Sequence, residues 1–315
     1  MVKTSPNILI VGTGAIGSFY GGKLSQIGLN VSTLSRSDYK VVKKKGIRIK
    51  SILGNFHFTP KKAYRFGEDI RENFDYIIVT LKVLPNINIP ILLKDLVTKH
   101  TSIVLLQNGI DIEKHAYKTF PNNEIISGLA FVCINRFEPG IIEHLDFGRL
   151  AFGTYPKGIS EKTKNLTDLF LKCGIPCSSA NYILKVRWQK LVWNAAFNPI
   201  SVLAGGATTK EILETKQTSS LVKNIMKEVI LIANATGNKL PLSIIQKYIK
   251  DTKKMKPYKT SMLLDYESRR PMEVEAILGN AVRLSKKKKV PVPHLETFYN
   301  LLTLINKINL QNNKK

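Results

Sequence analysis

The sequence predicts an α/β chain in which an N-terminal, Rossmann-type doubly wound sheet is followed by a C-terminal all-α domain. Three observations predict it. Continuous apolar runs, NILIVG from Asn7, then DYIIVTLK and SIVLLQNG, have the unbroken hydrophobicity of parallel strands covered on both faces. A glycine turn, GTGAIG, stands directly between the first of these and a helical stretch. From Tyr182 onward the apolar spacing becomes helical and stays so. The 315 residues suffice for two domains of ordinary size. The change of period sets them at 1–180 and 181–315.

In chain order, the first strand passes through the glycine turn into a helix ending about Ile27, then into a second strand, LNVSTL, ending near Leu34. This is a βαβ opening. After DYIIVTLK, a helical stretch through LPNINIPILLKDL leads to SIVLLQNG. Between Ile125 and Thr154 three shorter strands, EIISGLAFVCIN, GIIEHL and RLAFGT, are separated by polar turns such as RFEPG and finish the sheet in antiparallel fashion. A helix from about Ser160 to Lys172 and a short CSS strand close the first domain. Amphipathic helices are predicted over 186–202, 219–235, 242–253, 261–267, 272–286 and 293–305, and the polar QNNKK end reads as disordered.

Composition narrows the function classes. With 43% hydrophobic and 23% charged residues, most of the chain should fold. No apolar run approaches the ~20 residues needed to cross a bilayer. The start MVKTSPNILIVG enters a strand rather than the apolar segment of a signal peptide, so a cytoplasmic protein without a membrane partner is expected. Cys133, Cys173 and Cys177 are too few for a disulfide framework or a zinc site and read as buried thiols. No metal is expected; His294 reads as the start of a helix after Pro293, and Trp188 and Trp193 read as packing residues. The net charge of +25 attracts acidic partners through long-range fields. Its lysines, however, form short runs at 43–45, 253–254 and 286–289 without the interleaved aromatics of a nucleic-acid groove. They read as solvated faces, and a nucleic-acid partner is not expected.

Gly12-Thr13-Gly14-Ala15-Ile16-Gly17 follows a strand and opens a helix, the context in which a pyrophosphate binds at a helix N-terminus. Gly12 permits the tight turn, Gly14 lets the backbone approach the phosphates, and Gly17 lets the helix pack against the strand. Where an NAD enzyme usually places an acid for the ribose hydroxyl, the chain reads Leu34-Ser35-Arg36-Ser37. Arg36 suits the 2′-phosphate of NADP through a charge-assisted pair, with Ser35 or Ser37 as a hydroxyl donor. NADPH is therefore expected over NADH, while Asp38 keeps the ribose alternative open. Lys82 and Asn108-Gly109 stand at two further strand ends, where ligands of such sheets bind. Lys82 could reach phosphate or ribose; Asn-Gly is equally a plain turn former.

In WQKLVWNAAFNPIS, residues Lys190, Asn194 and Asn198 recur every four positions and share one face of an otherwise apolar helix. Two readings fit such a stripe equally: a snorkelling lysine with amides satisfied by backbone, or a catalytic face.

Taken together, GTGAIG, the strand ends TLK and QNG, KLVWNAAFNPISVL, SMLLDYESRRPMEVEAILGNAV and VPVPHLETFYNLL resemble the ketopantoate reductase (2-dehydropantoate 2-reductase) family in order and spacing across most of the chain. The resemblance implies a two-domain reductase, with an NADP-binding domain over 1–180 and a helical substrate domain over 181–315. It implies Lys190 as the catalytic lysine, Glu273 as the catalytic-site glutamate, and Asn194, Asn198 and Ser261 as substrate-binding residues. Asn108, Lys82 and Arg36 match cofactor-side positions. Glu275 lies about 200° around a helix from Glu273, so one of the two should face the site, and Glu273 is chosen. A break near Pro271 would let Ser261 and Glu273 approach one site.

The implied reaction is hydride transfer from NADPH to the ketone carbon of 2-dehydropantoate, with the Lys190 ammonium protonating the developing alkoxide, in pantothenate and coenzyme A biosynthesis. One departure bears on the substrate: Lys256-Pro257-Tyr258-Lys259-Thr260 stands where some members carry an asparagine. It keeps open an NADP-linked reductase of another small branched keto acid. A non-catalytic nucleotide-sensing or nucleic-acid-binding protein is motivated by the charge alone. Apolar C-terminal helices allow a homodimer without requiring one.

Overall fold

The computed structural model describes residues 5–65 and 70–311. Residues 312–315 of the QNNKK end lie outside the described residues. The chain divides into two compact units. One takes in the chain up to Lys82, with Asn88–Gln107 and Glu113–Ile183; the other takes in Val83–Ile87, Asn108–Ile112 and the chain from Leu184.

The first unit runs β1 (Asn7–Val11), α1 (Ala15–Gln26), β2 (Asn30–Leu34), α2 (Tyr39–Lys45), β3 (Ile47–Ser51), β4 (Phe56–Phe58), β5 (Ala63–Tyr64), β6 (Tyr76–Val79), α3 (Ile89–Leu93), β7 (Ser102–Leu106), α4 (Lys114–Thr119), β8 (Ile125–Glu138), β9 (Ile141–Thr154), α5 (Glu161–Lys172) and β10 (Cys177–Ser179). One sheet holds all of these strands in the order β4-β3-β9-β8-β7-β6-β1-β2-β5, with β10 paired to β9. Strands β5, β2, β1, β6, β7 and β8 are successively parallel, whereas β9 returns antiparallel to β8. Every residue of β6 and β7 is buried, which is why these strands read as unbroken apolar runs.

The region 125–154 differs from its sequence reading. Instead of three short strands it forms two long ones, because GIIEHL and RLAFGT are a single strand, β9, that carries LDFG as an irregularity. Register shifts occur at Phe131/Val132 and Cys133/Ile134, and Phe147 has φ 59° with Gly148 at φ 129°. A bulge lets the strand pass a polar insertion without ending. The buried His144 ring backs this bulge, with Nε2 3.0 Å from the Phe147 carbonyl oxygen and Nδ1 2.9 Å from Ser51 Oγ.

The core of this unit joins Phe19, Tyr20 and Leu24 of α1 to Phe152 and Phe170, whose rings stack at 5.5 Å. All three cysteines are free; Cys133 is buried, but Cys173 and Cys177 are half-buried. Burial pushes the Cys173 thiol up to about 11 and that of Cys177 to about 12, so both are neutral thiols at pH 7.

The second unit is helical: α6 (Ile183–Leu203, its last twenty residues), α7 (Thr209–Glu214), α8 (Lys216–Ala235), α9 (Ile244–Lys254), α10 (Ser261–Glu267), a π-turn over Glu275–Gly279, α11 (Asn280–Lys288) and α12 (Pro293–Gln311). Helix α6 is apolar around most of its circumference because it is central: Leu191, Val192, Ala195, Ala196, Phe197 and Ile200 share one core with Ile225, Met226, Val229 and Ile230 of α8. Trp188 is buried, and Trp193 stacks on Phe197 while donating to Thr252 Oγ1 at 2.9 Å.

The short helix α7 is announced only by its capping box, Thr208 with Glu211. The single helix expected over 272–286 is instead a π-turn followed by α11, with the Asn280 N–H donating to the Glu275 carbonyl, five residues back. Gly279 leaves room there for the Glu275 carboxylate, which accepts from Arg283 Nη1 and Tyr299 Oη, each at 2.8 Å. Helix α12 starts on the Glu228 carboxylate, which accepts from the His294 and Leu295 amides. Each lysine run sits at a helix end: Lys43, Lys44 and Lys45 in the last turn of α2, Lys253 and Lys254 in that of α9, and Lys286, Lys287 and Lys288 in that of α11.

Phe152→Ala is expected to cost about 3–5 kcal/mol of stability, because it empties a site between Gly128 and Phe170. Chemical denaturation checks this; an unchanged midpoint would contradict the packing described.

Candidate active site

In the first unit the glycine turn is held in a fixed shape. Gly12 has φ 102°, its N–H donates to the Leu34 carbonyl at 2.9 Å, and its own carbonyl accepts from Thr80 Oγ1 at 2.7 Å. A Cβ on Gly17 would collide with the Gly12 carbonyl and Thr80 Oγ1, so helix α1 can rest on the turn only with glycine there. Gly14 is the N-cap of α1; it has no side-chain cap, and no acidic residue lies in the first turn. A Cβ added at Gly14 would meet nothing within 4 Å. The chain thus leaves the partial positive charge of this helix start uncompensated and the space beside Gly14 open, a cradle that fits a pyrophosphate. Thr13, Ala15 and Ile16 complete the turn.

Beyond β2, Ser35 is buried, and its Oγ has no hydrogen-bond partner among the described residues. Arg36 and Ser37 are exposed. Asp38, in contrast, is only 2% exposed: both carboxylate oxygens accept from Arg136 Nη1, at 2.7 and 2.8 Å, and Oδ1 also accepts from Ser37 Oγ at 2.7 Å. The acid that could have served a ribose hydroxyl is therefore already engaged. Gln107 Nε2 donates to the Leu81 carbonyl at 2.6 Å, which ties the ends of β7 and β6 together beside Lys82.

In the second unit, three sequence-predicted residues form one hydrogen-bonded chain. Lys190 Nζ donates to Asn108 Oδ1 at 2.9 Å, and Asn108 Nδ2 donates to Glu273 Oε2 at 3.0 Å. The other oxygen of Glu273, Oε1, accepts from the Val83 amide at 2.9 Å. The amide is oriented by its neighbours, since an ammonium can only donate and a carboxylate only accept. Asn108, matched in sequence to the cofactor side, has its side chain committed to Lys190 and Glu273. Glu275 takes different partners, Arg283 and Tyr299.

Asn194 and Asn198 follow Lys190 on α6, one and two turns on, and both are buried. Asn198 Nδ2, fully buried, has no hydrogen-bond partner among the described residues. Backbone satisfaction of the stripe, one of the two readings of the sequence, is thus not what the helix provides at Asn198. Ser261 opens α10 and is exposed; its hydroxyl bonds to none of Lys190, Asn108 or Glu273. The segment 256–260 is used structurally: the Tyr258 carbonyl accepts from the Thr209 amide at 3.0 Å, Lys259 pairs with Glu267 at 2.7 Å, and Thr260 caps α10.

The placement of Asn108 depends on Gly109, read in the sequence as part of a turn, and on Arg187, Ala276 and Asn280, which the sequence reading did not single out. Gly109 has φ 91°, and a Cβ there would lie 2.5 Å from the Ala276 carbonyl oxygen. Its own carbonyl accepts from Arg187 Nη1 at 2.9 Å, and the next carbonyl, of Ile110, accepts from Asn280 Nδ2 at 2.7 Å. The Ile110 amide donates to the Ala276 carbonyl at 3.3 Å. Arg187 stands one turn before Lys190, and an arginine on so apolar a helix is the signal that could have found it.

Comparison with known proteins agrees with this layout. The family model for ketopantoate reductase PanE/ApbA matches residues 8–157, and that for its C-terminal domain matches 182–306. A curated 2-dehydropantoate 2-reductase of Nostoc sp. is 36% identical over 303 residues, covering 94% of each chain. The crystal structure of 2-dehydropantoate 2-reductase from Methylococcus capsulatus is 48% identical, covers 96% of this chain and 97% of its own, and superposes with a TM-score of 0.89. A ternary structure of D-mandelate dehydrogenase with NADH and anilino(oxo)acetate shares the fold at 21% identity, with a TM-score of 0.88 over 96% of this chain and 99% of its own.

Gly109→Ala is expected to cost about 2 kcal/mol or more, through its positive φ and the contact with Ala276. Denaturation together with faster hydrogen exchange at the Ile110 amide is the check. Unaltered exchange would mean that the segment is not pinned in this way.

Proposed function

The chain belongs to the ketopantoate reductase family of NAD(P)-dependent oxidoreductases, and from that premise we propose that it is an NADPH-dependent 2-dehydropantoate 2-reductase serving pantothenate and coenzyme A biosynthesis. The observation that carries this reading is the chain Lys190–Asn108–Glu273, an ammonium and a carboxylate joined through one amide.

The nicotinamide nucleotide, when bound, supplies the hydride that adds to the keto carbon. Lys190 donates a hydrogen bond to the keto oxygen and transfers its proton as negative charge develops there. Asn108 fixes the Nζ of an otherwise flexible side chain, and an ammonium has three donors, so the bond to Asn108 does not exhaust it. Glu273, held by the Val83 amide and Asn108, supplies the countercharge that an ammonium in apolar surroundings needs, and accepts from a substrate hydroxyl. The buried amides of Asn194 and Asn198 and the hydroxyl of Ser261 serve the rest of the keto acid. The unmet Asn198 Nδ2 supports this role, since a buried donor left without a partner is costly unless a ligand meets it.

On the cofactor side, the glycine turn Gly12–Gly17 takes the pyrophosphate. Arg36 takes the 2′-phosphate, aided by the unpartnered Ser35 hydroxyl, and Lys82 reaches phosphate or ribose. Engagement of Asp38 by Arg136 supports NADPH over NADH, because it removes the acid that a ribose hydroxyl would use. A second reading, reduction of another small branched keto acid, is favoured by the structural use of Tyr258, Lys259 and Thr260 in the segment that departs from the family.

A panel of branched 2-keto acids followed by NADPH oxidation is expected to give the highest kcat/KM with ketopantoate; a clear preference for another keto acid would move the assignment to the second reading. Lys190→Ala should lower turnover by about 10²-fold or more while NADPH binding changes little. Near-normal turnover would remove Lys190 as the acid. Arg36→Ala should weaken NADPH by about tenfold and leave NADH nearly unaffected; equal losses for the two nucleotides would argue against the phosphate contact.

A further inference from the structure

The pair formed by Asp38 and Arg136 has no part in the reaction just described, yet it is more elaborate than a surface contact. Asp38 is the N-cap residue of α2, a position where aspartate ordinarily accepts from the first-turn amides. Here it makes no such cap. Its carboxylate is turned instead to Arg136 on β8 and to Ser37, and is buried in doing so. The β8–β9 hairpin is held against α2 independently of this pair. Gly140 in its turn, with φ 77°, packs on Val41 so closely that a Cβ would lie 2.7 Å from Val41 Cγ1, and its carbonyl accepts from the Arg48 amide at 2.8 Å. The hairpin therefore does not need the ion pair to dock. Two residues before Asp38 stands Arg36, exposed and without an ion-pair partner among the described residues.

We propose that Arg136 is a positioning residue for cofactor choice: by occupying both oxygens of Asp38 it prevents that carboxylate from pairing with Arg36 and from repelling a 2′-phosphate, so that Arg36 remains a cation open to the phosphate. This deepens the NADPH reading above and rests on it. An acid beside a phosphate site raises the cost of bringing in a dianion, and a neighbouring guanidinium cancels that cost only while the two stay paired. Arginine suits the task better than lysine, since it remains charged and can reach both carboxylate oxygens. The same acid in an NAD enzyme would be left open for the ribose hydroxyls; here a residue about a hundred positions away in the chain withdraws it.

The test is direct binding of NADPH and NADH, read from nucleotide fluorescence, together with binding of adenosine 2′,5′-bisphosphate and AMP as probes of the phosphate alone. Arg136→Gln is expected to lower the preference for NADPH over NADH by about tenfold, through weaker binding of the two ligands that bear a 2′-phosphate. Adding Asp38→Asn to Arg136→Gln should restore the preference to within about threefold of the wild type. Asp38→Asn alone, which removes the acid and releases Arg136, should tighten NADPH a few-fold; it also serves if Arg136→Gln does not fold. Equal weakening of NADPH and NADH in Arg136→Gln would assign the pair a merely structural role and overturn the proposal. So would failure of the double variant to recover, which would make Arg136 itself a phosphate contact, or weaker NADPH binding by Asp38→Asn. If the wild type prefers NADPH and Arg136→Gln keeps that preference, this proposal falls alone. If the wild type shows no preference, the NADPH reading falls with it.

Discussion

A half-buried ammonium and a buried carboxylate on an apolar helical framework are costly unless their donors and acceptors are met in good geometry. In the second unit one amide serves both groups: Asn108 accepts from Lys190 with its oxygen and donates to Glu273 with its nitrogen. Much of the surrounding structure keeps that amide in place. Gly109 adopts a left-handed conformation so that the backbone can lie against Ala276, while Arg187 and Asn280 take up the two carbonyls that follow Asn108. The π-turn contributes the Ala276 carbonyl on which the Ile110 amide rests. The polar groups on this apolar framework are therefore interdependent, and the loss of any one removes a hydrogen bond from another.

The first unit works by a different principle. Its glycine turn offers backbone N–H groups rather than side chains, and steric exclusion, most severe at Gly17, fixes the approach of α1 to the turn. Beyond β2 an acid and two arginines lie close in space or sequence, and the hydrogen bonds of the acid go to Arg136. One unit thus presents a helix start made of main chain with no acid in its first turn, and the other an ammonium and a carboxylate joined through one side-chain amide.

Much of this was legible in the sequence wherever the signal was local. The glycine turn lies within six residues, and Lys190, Asn194 and Asn198 fall on one helical face by period alone. The β6 and β7 strands are legible because burial on both faces leaves no polar interruption. What escaped is long-range or very short. The bridging role of Asn108 depends on partners 82 and 165 residues away, and an Asn-Gly pair looks like any turn. The Arg136–Asp38 pair spans 98 residues. Strands β3, β4 and β5 are too brief for a period to show, and β9 reads as two strands because a bulge and a loop have the same polar composition.

The position of the lysine runs bears on how this chain tolerates so large a surplus of positive charge. The last turns of α2, α9 and α11 end in outward-facing carbonyls, whose partial negative charge favours cations there. Basic residues can accumulate at such ends with little harm to the fold, whereas acidic ones would oppose the field of the backbone itself. Amino-acid usage is consequently free to drift toward lysine at these three places under pressures unrelated to catalysis, and the protein's isoelectric point can move a long way while its working parts stay as they are.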